Sequence, residues 1–591
     1  MTNIHSERIE ALRALMRSRG WDAVIVGGSD PHQSEYPADR WKQVRWLTGF
    51  TGEAGDVVVT LDHCGLWTDT RYFIQAREQL EGSGAVLHKT RVPEEVLIPE
   101  WLRMEFDSDA VVALDSLCQS AEAVDELRAD FNVVGVPDLL GVLWEDRPTI
   151  PQTPIFRVRA GESRADKLFW LRETMREAGC EAVFLSALDE IAWLLNIRAS
   201  DIEYNPMCIS YLLVCEDSAS WFVLKEEVED PQSQESFDAL AEDGVEILPY
   251  GDVALVLSQL DDIRLWLDSS TINAELRDCV RCPVLLRPSP VAARKEVKNE
   301  AEIAWLRECH VRDGVAMEKF LYWLDRSMAA GKRISEWDAA VKLGQYRAEI
   351  EDYMGDSFET ISAYGKRAAL PHYVTPKENA PLLEAHGLYL CDSGGQFLSG
   401  TTDITRTIPL GECTAEEIRD YTLVLKGHVD LAMAVFPAGT PGCRIDAAAR
   451  MPLWRNLMNY GHGTGHGVGF FLGVHEGPHQ IRQNLGPEPL LEGMVTSDEP
   501  GIYREGRHGV RHENLLLTVN AGSSEFGSFL AFETLTLCHF DTSAIDVSLL
   551  DKDEIEWINA YNRRVFLTLG PLLDKEIAQW LEAKTAPLVL E

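Results

Sequence analysis

Hydrophobic positions recur in one arrangement at two places in the first 290 residues. Residues 12–26 (LRALMRSRGWDAVIV) and 171–185 (LRETMREAGCEAVFL) align without a gap, and seven of the fifteen positions are identical. Each segment has apolar residues at helical spacing, then a glycine, then a short apolar run typical of a buried strand. A Trp-Leu pair follows in both, at Trp46-Leu47 and Trp193-Leu194. The pattern predicts one α/β unit that is used twice.

Two proline-rich segments mark linkers after these units. They are RPTIPQTP, which ends at Pro154, and CPVLLRPSP, which ends at Pro290. The following segment, EVKNEAEIAWLRECHVRDGVAMEKFLYWL, has the apolar spacing of a long helix. Text rich in glycine and strand-like runs then extends from about 360 to 540, and a helical pattern returns near 550. We therefore predict two related α/β domains at 1–150 and 151–290, an α+β domain at 291–530 and a C-terminal extension at 531–591.

Charge and composition exclude several classes of partner. The formal net charge of −40 lacks the basic patches that nucleic acids and anionic membranes require. No run approaches the ~18 apolar residues of a membrane span, and residues 1–17 lack the pattern of a signal peptide. Twelve scattered cysteines favour a reducing compartment, and the single CxxC at Cys279 and Cys282 has no second pair at zinc-site spacing. We predict a cytoplasmic protein that binds neither nucleic acid nor membrane.

Five residues near the C-terminal side of the chain are candidate metal ligands. Asp392 ends the apolar run LYLCD and Asp403 opens DITRT, while SGGQFLSG between them supplies the turn of a predicted hairpin. His466 lies in GHGTGHGVG, where glycines allow close approach of the backbone. Glu499 precedes a Pro-Gly break in SDEPG, and Glu513 lies in VRHENLLLT, which is a strand pattern.

Each of these residues alone is ordinary, and their combination carries the prediction. A single Asp at a strand end is usually a turn residue, and a single Glu in a strand usually faces solvent. Four carboxylates that converge without cations would repel one another and have raised pKa values. Divalent cations remove that repulsion. An oxygen-rich set with one imidazole favours Mn²⁺, with Zn²⁺ and Co²⁺ as the alternatives.

Several longer motifs carry a family resemblance. DSGGQFLSGTTDITRT, YGHGTGHGVG, HEGP, SDEPGIY and VRHEN resemble the pita-bread metallopeptidases and, among them, the aminopeptidase P family. SDPHQSEYPADRW, GFTGEAG and ALDEIAWLLNIRASDIEYNP are similar to the two N-terminal domains of its long, three-domain form, and FETLTLCHFDTSAID to its C-terminal extension. The resemblance implies two creatinase-type α/β domains followed by a pita-bread α+β catalytic domain.

The resemblance also implies roles for individual residues. Asp392 would chelate one of two divalent metal ions, Asp403 and Glu513 would bridge both, and His466 and Glu499 would hold the other. Three histidines would contact substrate or stabilise the transition state, namely His372, His462 and His475. Arg511, which shares a strand face with Glu513, would orient the ligand carboxylates. Glu499 is also the candidate proton carrier. One departure from some relatives is HEGPHQ, where His479 is inserted.

The implied reaction is hydrolysis of the N-terminal Xaa-Pro peptide bond by a metal-bridging hydroxide. The implied substrates are short peptides with proline at position 2, and the implied assembly is a homodimer. A rival interpretation is a prolidase restricted to Xaa-Pro dipeptides, which shares the metal set. Creatinase-type amidinohydrolases share part of the domain plan but lack the metal ligands. A third interpretation is a pita-bread domain that binds peptides without catalysis.

Overall fold

The computed structural model describes residues 3–224 and 231–589, and the chain divides into two compact units. Unit 1 is Met1–Ala292 and unit 2 is Ala293–Glu591. The boundary falls next to Pro290, at the end of the second proline-rich segment.

The first part of unit 1 is a six-stranded mixed sheet with helices. The strands are Ala23–Val26 (β1), Asp56–Thr60 (β2), Cys64–Thr68 (β3), Val86–Lys89 (β4), Val111–Leu114 (β5) and Asn132–Gly135 (β6). The helices are Ile4–Arg19 (α1), Gln43–Thr48 (α2), Phe73–Gln79 (α3), Ile98–Glu105 (α4) and Ala121–Arg128 (α5). The strand order is β4-β3-β2-β1-β5-β6, with β1 antiparallel to β2 and parallel to β5.

The second part of unit 1 contains a sheet of the same size. The strands are Phe156–Arg157 (β7), Ala182–Leu185 (β8), Ile197–Arg198 (β9), Ser210–Cys215 (β10), Ala219–Val223 (β11), Val245–Pro249 (β12), Leu265–Leu267 (β13) and Val284–Leu286 (β14). The helices are Arg164–Glu177 (α6), Leu188–Leu195 (α7), Pro231–Glu242 (α8), Val253–Ser258 (α9), Ala274–Cys279 (α10) and Pro290–Lys295 (α11). The order is β12-β11-β10-β8-β13-β14, and β7 and β9 form a separate two-stranded sheet.

The predicted internal repeat is confirmed by the strand order of the two sheets. In each sheet the first long strand, β1 or β8, is central, runs antiparallel to one neighbour and parallel to the other. The helix before it ends next to a glycine with positive φ, Gly20 at 70° and Gly179 at 69°. Every residue of both central strands is buried, which explains why AVIV and AVFL are uninterrupted apolar runs.

Unit 2 combines helices with several smaller sheets. The helices are Glu300–Ala329 (α12), Glu336–Arg347 (α13), Ala415–Ala432 (α14), Asp446–Trp454 (α15), Lys552–Leu569 (α16) and Lys575–Lys584 (α17). The predicted long helix and the predicted helix near 550 are confirmed as α12 and α16. The side chain of Asn299 accepts hydrogen bonds from the first amides of α12, and Glu302 completes the capping box. One face of α12, including Met317, Phe320 and Leu324, packs into the main core of the unit.

The strands of unit 2 form the framework that positions the candidate ligands. They are Tyr353–Asp356 (β15), Ile361–Tyr364 (β16), Leu388–Ser393 (β17), Gly395–Phe397 (β18), Gly400–Thr401 (β19), Ile404–Pro409 (β20), Phe436–Pro437 (β21), Gly465–Gly467 (β22), Glu476–Ile481 (β23), Val495–Asp498 (β24), Gly501–Arg504 (β25), His508–Arg511 (β26), Asn514–Ser524 (β27) and Gly527–Thr534 (β28). The main sheets have the orders β16-β17-β20 and β21-β28-β27-β24-β22-β23.

The strand predicted around Glu513 is wrong in one respect. The run VRHENLLLT is divided between two sheets, because β26 ends at Arg511 and pairs with β25, whereas β27 begins at Asn514 and pairs with β24 and β28. Glu513 lies in the joint, and its amide donates to the carbonyl of Thr405 at 3.0 Å. Because the strand is interrupted here, the side chain of Glu513 is directed toward β20.

Among the residues that the structure describes, none of the helices combines the length and apolarity needed to cross a membrane.

Candidate metal centre

Asp392 and Asp403 are brought together by the pairing of β17 with β20. Asp392 lies in β17 opposite Thr405, and Asp403 immediately precedes β20. The predicted hairpin is confirmed, with a smaller hairpin of β18 and β19 inserted in its connection. Both carboxylates are buried, with exposed fractions of 7% and 4% for their residues. Antiparallel pairing therefore places two carboxylates beside each other away from bulk water.

Glu499 and Glu513 come from breaks between strands. Glu499 follows β24, and its amide donates to the carbonyl of Thr464 at 2.8 Å, while Pro500 ends the strand. The carboxylate of Glu513 accepts a hydrogen bond from the Thr405 hydroxyl at 2.7 Å. Each break lets the chain leave one sheet and direct an acidic side chain toward the β17–β20 pair.

His466 completes the cluster from β22. Its Nδ1 lies 2.9 Å from the carbonyl of Gly467, which leaves Nε2 at 3.4 Å from Asp403 Oδ2 and 3.4 Å from Glu499 Oε1. A Cβ on Gly465 would lie 1.9 Å from the carbonyl oxygen of Ser497, so only glycine allows this strand to approach β24 so closely. The glycines of GHGTGHGVG thus set the position of the imidazole.

The cluster has the donor set of a cation site. Ligand atoms of Asp403, His466 and Glu513 all lie within 4.8 Å of one another. Burial and the neighbouring carboxylates raise the pKa of Glu513 well above its usual range, and burial raises the pKa of Glu499 to about 7 despite the charges of His466 and Arg511. Asp392 Oδ1 is buried and lacks a hydrogen-bonding partner in the described chain. Crowded, incompletely satisfied carboxylates of this kind fit divalent cations.

His466 responds to the same carboxylates. Burial alone would lower its pKa, but the hydrogen bond to Asp403 and the charges of Glu499 and Asp403 raise the pKa to about 9. Without a cation, therefore, a proton on His466 offsets part of the negative charge, and a metal would take over that role.

Arg511 is the buried cation that faces these carboxylates. Its Nη2 donates to Asp392 Oδ2 at 2.5 Å, and its Nε donates to the Thr405 hydroxyl at 3.2 Å. Since Thr405 also donates to Glu513, Arg511 connects Asp392 and Glu513, which would be ligands of the same centre. The strand face predicted to be shared by Arg511 and Glu513 does not form, because β26 ends at Arg511; the two side chains meet instead at the Thr405 hydroxyl.

The three candidate substrate histidines lie around this network. Nε2 of His462 lies 2.7 Å from the Tyr503 hydroxyl, which accepts from Arg511 Nη1 at 2.7 Å. His372 follows Pro371, whose carbonyl accepts from Arg511 Nη2 at 3.3 Å. The ring of His475 packs against that of His466, with 4.3 Å between centroids. Burial and the charge of Arg511 lower the pKa of His462 well below its usual range, so it is a neutral hydrogen-bonding group.

Sequence reasoning missed Tyr503, Thr405 and the anchoring of Glu476. Tyr503 and Thr405 stand in the quoted motifs SDEPGIY and DITRT, but a motif alone does not say which hydroxyl bridges two charged groups. Glu476, which follows His475, is buried against two ammonium groups, Lys295 Nζ at 2.9 Å and Lys298 Nζ. The lysines lie 178 residues or more away along the chain, so no local pattern connects them to Glu476.

Removing the carboxylate of this buried cluster should weaken the fold. Glu476→Gln would leave the ammonium groups of Lys295 and Lys298 facing a neutral amide in a buried site. We expect the free energy of unfolding to fall by about 3–5 kcal/mol, measured by urea denaturation. Glu492→Gln, at an exposed position, is the control. A loss for Glu476→Gln as small as that of the control would contradict the assignment.

His479, the residue inserted in HEGPHQ, belongs to the same anchoring region and not to the metal cluster. Its Nδ1 lies 2.8 Å from Glu296 Oε2, and its Nε2 lies 3.0 Å from the carbonyl of Val495. It is fully buried. The insertion therefore changes the support of β23 and leaves the five candidate ligands as they are.

Comparisons with known proteins identify the family of each part of the chain. The model of metallopeptidase family M24 matches residues 304–520, the creatinase/prolidase N-terminal domain matches residues 8–148 and 146–302, and the C-terminal region of the M24 peptidases matches 528–588. A probable Xaa-Pro aminopeptidase P of Sordaria macrospora is 37% identical, with 99% of this chain and 100% of the relative covered. Aminopeptidase P1 of Arabidopsis thaliana is 35% identical, with 99% of each chain covered.

The chain belongs to the aminopeptidase P family of M24 metallopeptidases. The crystal structure of an X-prolyl aminopeptidase from Caenorhabditis elegans, described as a cytosolic enzyme with a dinuclear active site, is 34% identical. It superposes with a TM-score of 0.94, covering 99% of this chain and 100% of that one. The predicted family is confirmed. So is the predicted aminopeptidase P fold of two creatinase-type domains followed by a pita-bread metallopeptidase domain.

Proposed function

We propose that this chain removes the first residue from short peptides whose second residue is proline, with the help of two divalent metal ions. The observation that carries the proposal is the convergence of Asp403, His466 and Glu513 within 4.8 Å, with Glu499 beside His466 and Asp392 held by Arg511. Family membership supports the same reaction, since full-length relatives carry the name Xaa-Pro aminopeptidase.

The four carboxylates and one imidazole would have three different roles as metal ligands. In our proposal Asp392 would hold one ion, His466 and Glu499 would hold the other, and Asp403 and Glu513 would serve both. Two contacts support this division: ligand atoms of Asp403 and Glu513 lie within 4.8 Å of each other and of His466, while Asp392 is held separately by Arg511. Four carboxylates with one imidazole favour Mn²⁺ over Zn²⁺ or Co²⁺.

The chain's own residues would position the substrate and move a proton. When bound, the cations supply Lewis acidity toward the scissile carbonyl and lower the pKa of water toward neutrality. His475 packs on His466, and in our proposal it donates a hydrogen bond to the carbonyl oxygen as it becomes an anion. Neutral His462 donates from Nδ1 to the carbonyl of Gly463 at 2.7 Å, so its Nε2 accepts from the Tyr503 hydroxyl, and its role would be to position that hydroxyl near the substrate. Glu499, whose carboxylate lies beside His466, would carry the proton from water to the proline nitrogen.

Proline at position 2 explains why a dedicated enzyme is needed. An Xaa-Pro bond is a tertiary amide whose nitrogen has no N–H, and the ring fixes φ near about −65°. An aminopeptidase that aligns substrate through that N–H has no group to hold. The carboxylate-rich centre provides a place for the free amino terminus of the substrate, which accounts for removal of a single first residue.

We further propose that the enzyme is a cytoplasmic homodimer that acts without nucleic acid or membrane partners. The net charge of −40 disfavours association with polyanions, and the similar nematode enzyme is cytosolic. The dimer is carried over from the family resemblance.

Three peptides of related sequence test the substrate class. We expect metal-loaded protein to release arginine from Arg-Pro-Pro, and to cleave Arg-Ala-Pro at least about a hundredfold more slowly, because the site is built for a tertiary amide. Liquid chromatography of the released arginine gives kcat/KM for each peptide. Cleavage of Arg-Pro without cleavage of Arg-Pro-Pro would instead identify a prolidase, and cleavage of none of the peptides would favour the non-catalytic binding module.

A further inference from the structure

A cavity apart from the candidate metal centre lies in unit 2, between the C-terminal part of α12, strand β20 and helix α17. Its volume is about 290 Å³, and apolar side chains such as Leu321, Ile408 and Trp580 form much of its wall. Ala329, an exposed residue near the end of α12, lies at its edge. The volume is close to the lower limit of small-molecule sites in proteins. None of the five candidate metal ligands lines it.

Two carboxylates and two cations line this cavity. Asp541 is nine-tenths buried, with an exposed side-chain fraction of 10%, and its Oδ2 accepts from Lys584 Nζ at 2.7 Å. Asp325 also lines the cavity, and its Oδ1 lies 3.9 Å from the same ammonium group. Two carboxylates thus share a single lysine. Arg406, the other cation of the lining, donates to backbone carbonyls, so the carboxylates keep acceptor capacity for a further donor.

His539 adds an unsatisfied nitrogen to the same wall. Its side chain is only 3% exposed, and Nδ1 lies 2.8 Å from the carboxylate of the fully buried Glu318. Glu318 also accepts from the His539 amide at 2.9 Å, so the ring is held from one edge. Within residues 3–224 and 231–589, Nε2 has no hydrogen-bonding partner. With the proton on Nδ1 beside Glu318, Nε2 offers a lone pair to a donor in the cavity.

The cavity is connected to the metal centre through Arg406. This buried side chain lines the cavity, and its Nη1 donates to the carbonyl of Glu513 at 2.7 Å. It also donates to the carbonyl of Cys538, next to His539. An occupant that shifts this guanidinium would therefore shift the backbone that carries a candidate bridging ligand.

We propose that this cavity is a regulatory site for a short apolar primary amine. Its ammonium group has three N–H donors, which match the acceptors of Asp325, Asp541 and His539, while its apolar body lies against Leu321, Ile408 and Trp580. The site is distinct from the substrate site, and binding there is coupled to metal binding through Arg406.

Three probes with the same six-carbon body test the ligand class by calorimetry on metal-loaded protein. We expect n-hexylamine to bind at least about tenfold more tightly than hexanoate or hexan-1-ol. Lys584→Met should tighten hexylamine binding about fivefold, because the competing ammonium is removed, and Asp325→Asn should weaken it about tenfold. The proposal would be overturned if hexanoate bound more tightly than hexylamine, or if the Lys584→Met change abolished hexanoate binding.

A tryptophan at the cavity edge locates the binding. Ala329→Trp should abolish hexylamine binding, whereas Ala330→Trp, at the adjacent exposed position outside the lining, should leave it unchanged. Thermal unfolding checks that both variants fold, and the Asp325→Asn result is independent of them. Hexylamine binding that survives in folded Ala329→Trp would place the amine elsewhere and contradict the proposal.

The coupling has a readout that does not need peptide hydrolysis. Because coupling between two sites is reciprocal, the Kd of hexylamine should differ at least about fivefold between metal-stripped and Mn²⁺-loaded protein. The same Kd in both states would refute the connection through Arg406. Failure of the proposed peptidase activity would leave both binding measurements interpretable.

Discussion

Changing both Asp403 and Glu513 to alanine is expected to lower kcat/KM on Arg-Pro-Pro at least about a thousandfold, since a metal centre supplies several kcal/mol of transition-state stabilisation and each ~1.4 kcal/mol is tenfold. Ligand atoms of Asp403 and Glu513 lie within 4.8 Å of each other and of His466. Without them, the remaining Asp392, Glu499 and His466 cannot bridge two ions. The measurement is steady-state kinetics with Mn²⁺ in excess.

A charge-matched double variant controls for the loss of two negative charges. Glu492→Ala combined with Glu505→Ala removes two exposed carboxylates from the same unit, and its kcat/KM should remain within about twofold of the parent. In the absence of a cation, changing both Asp403 and Glu513 to alanine should not sharply lower the free energy of unfolding. The reason is that crowded buried carboxylates are costly when no cation is bound. Undiminished peptidase turnover after both Asp403 and Glu513 are changed to alanine would contradict the proposal for this centre.

Arg511→Met is the second change with a large expected effect. Arg511 donates to Asp392, to the hydroxyl of Thr405 and to the hydroxyl of Tyr503, so it orients ligand carboxylates and the group that holds His462. We expect activity and metal affinity to fall by about 10–100-fold, the usual effect of losing a partner that orients ligands. Arg511→Lys should recover little, because an ammonium group cannot reproduce the planar fork of contacts.

Arg507→Met provides the matched control for Arg511. Arg507 precedes β26, is mostly exposed and pairs with Glu416 on the surface. The control should keep both metal affinity and kcat/KM. Metal titration followed by calorimetry measures the metal affinity of Arg511→Met separately from its kcat/KM. Full metal affinity with full activity in Arg511→Met would show that Asp392 does not need this partner.

Local patterns predicted the elements that depend on nearby residues. The helix–glycine–strand unit at 12–26 and 171–185 could be predicted because the helical spacing of its apolar residues and its glycines lie within one short segment. The hairpin around Asp392 and Asp403 was readable for the same reason, since turn glycines lie between them. The common strand order of the two sheets follows from long-range pairing, such as β1 with β5, which no local pattern encodes.

The sequence selected the candidate ligands but not the residues that support them. Residue types and motif resemblance selected Asp392, Asp403, His466, Glu499 and Glu513, because metal chemistry restricts which side chains can serve. The strand around Glu513 was predicted as continuous, because its alternation does not reveal that β26 and β27 join different sheets. The anchoring of Glu476 by Lys295 and Lys298 depends on packing of distant segments, so charge alone gave no signal.

The most direct test of the central claim is a count of divalent ions per chain in purified, Mn²⁺-loaded and dialysed protein. We predict about two ions per chain in the parent and fewer than about one when Asp403 and Glu513 are both alanine. Cleavage of Arg-Pro-Pro should disappear on chelation and return as Mn²⁺ is restored. A parent protein that cleaves this peptide at full rate while holding less than about one ion in ten chains would contradict the claim.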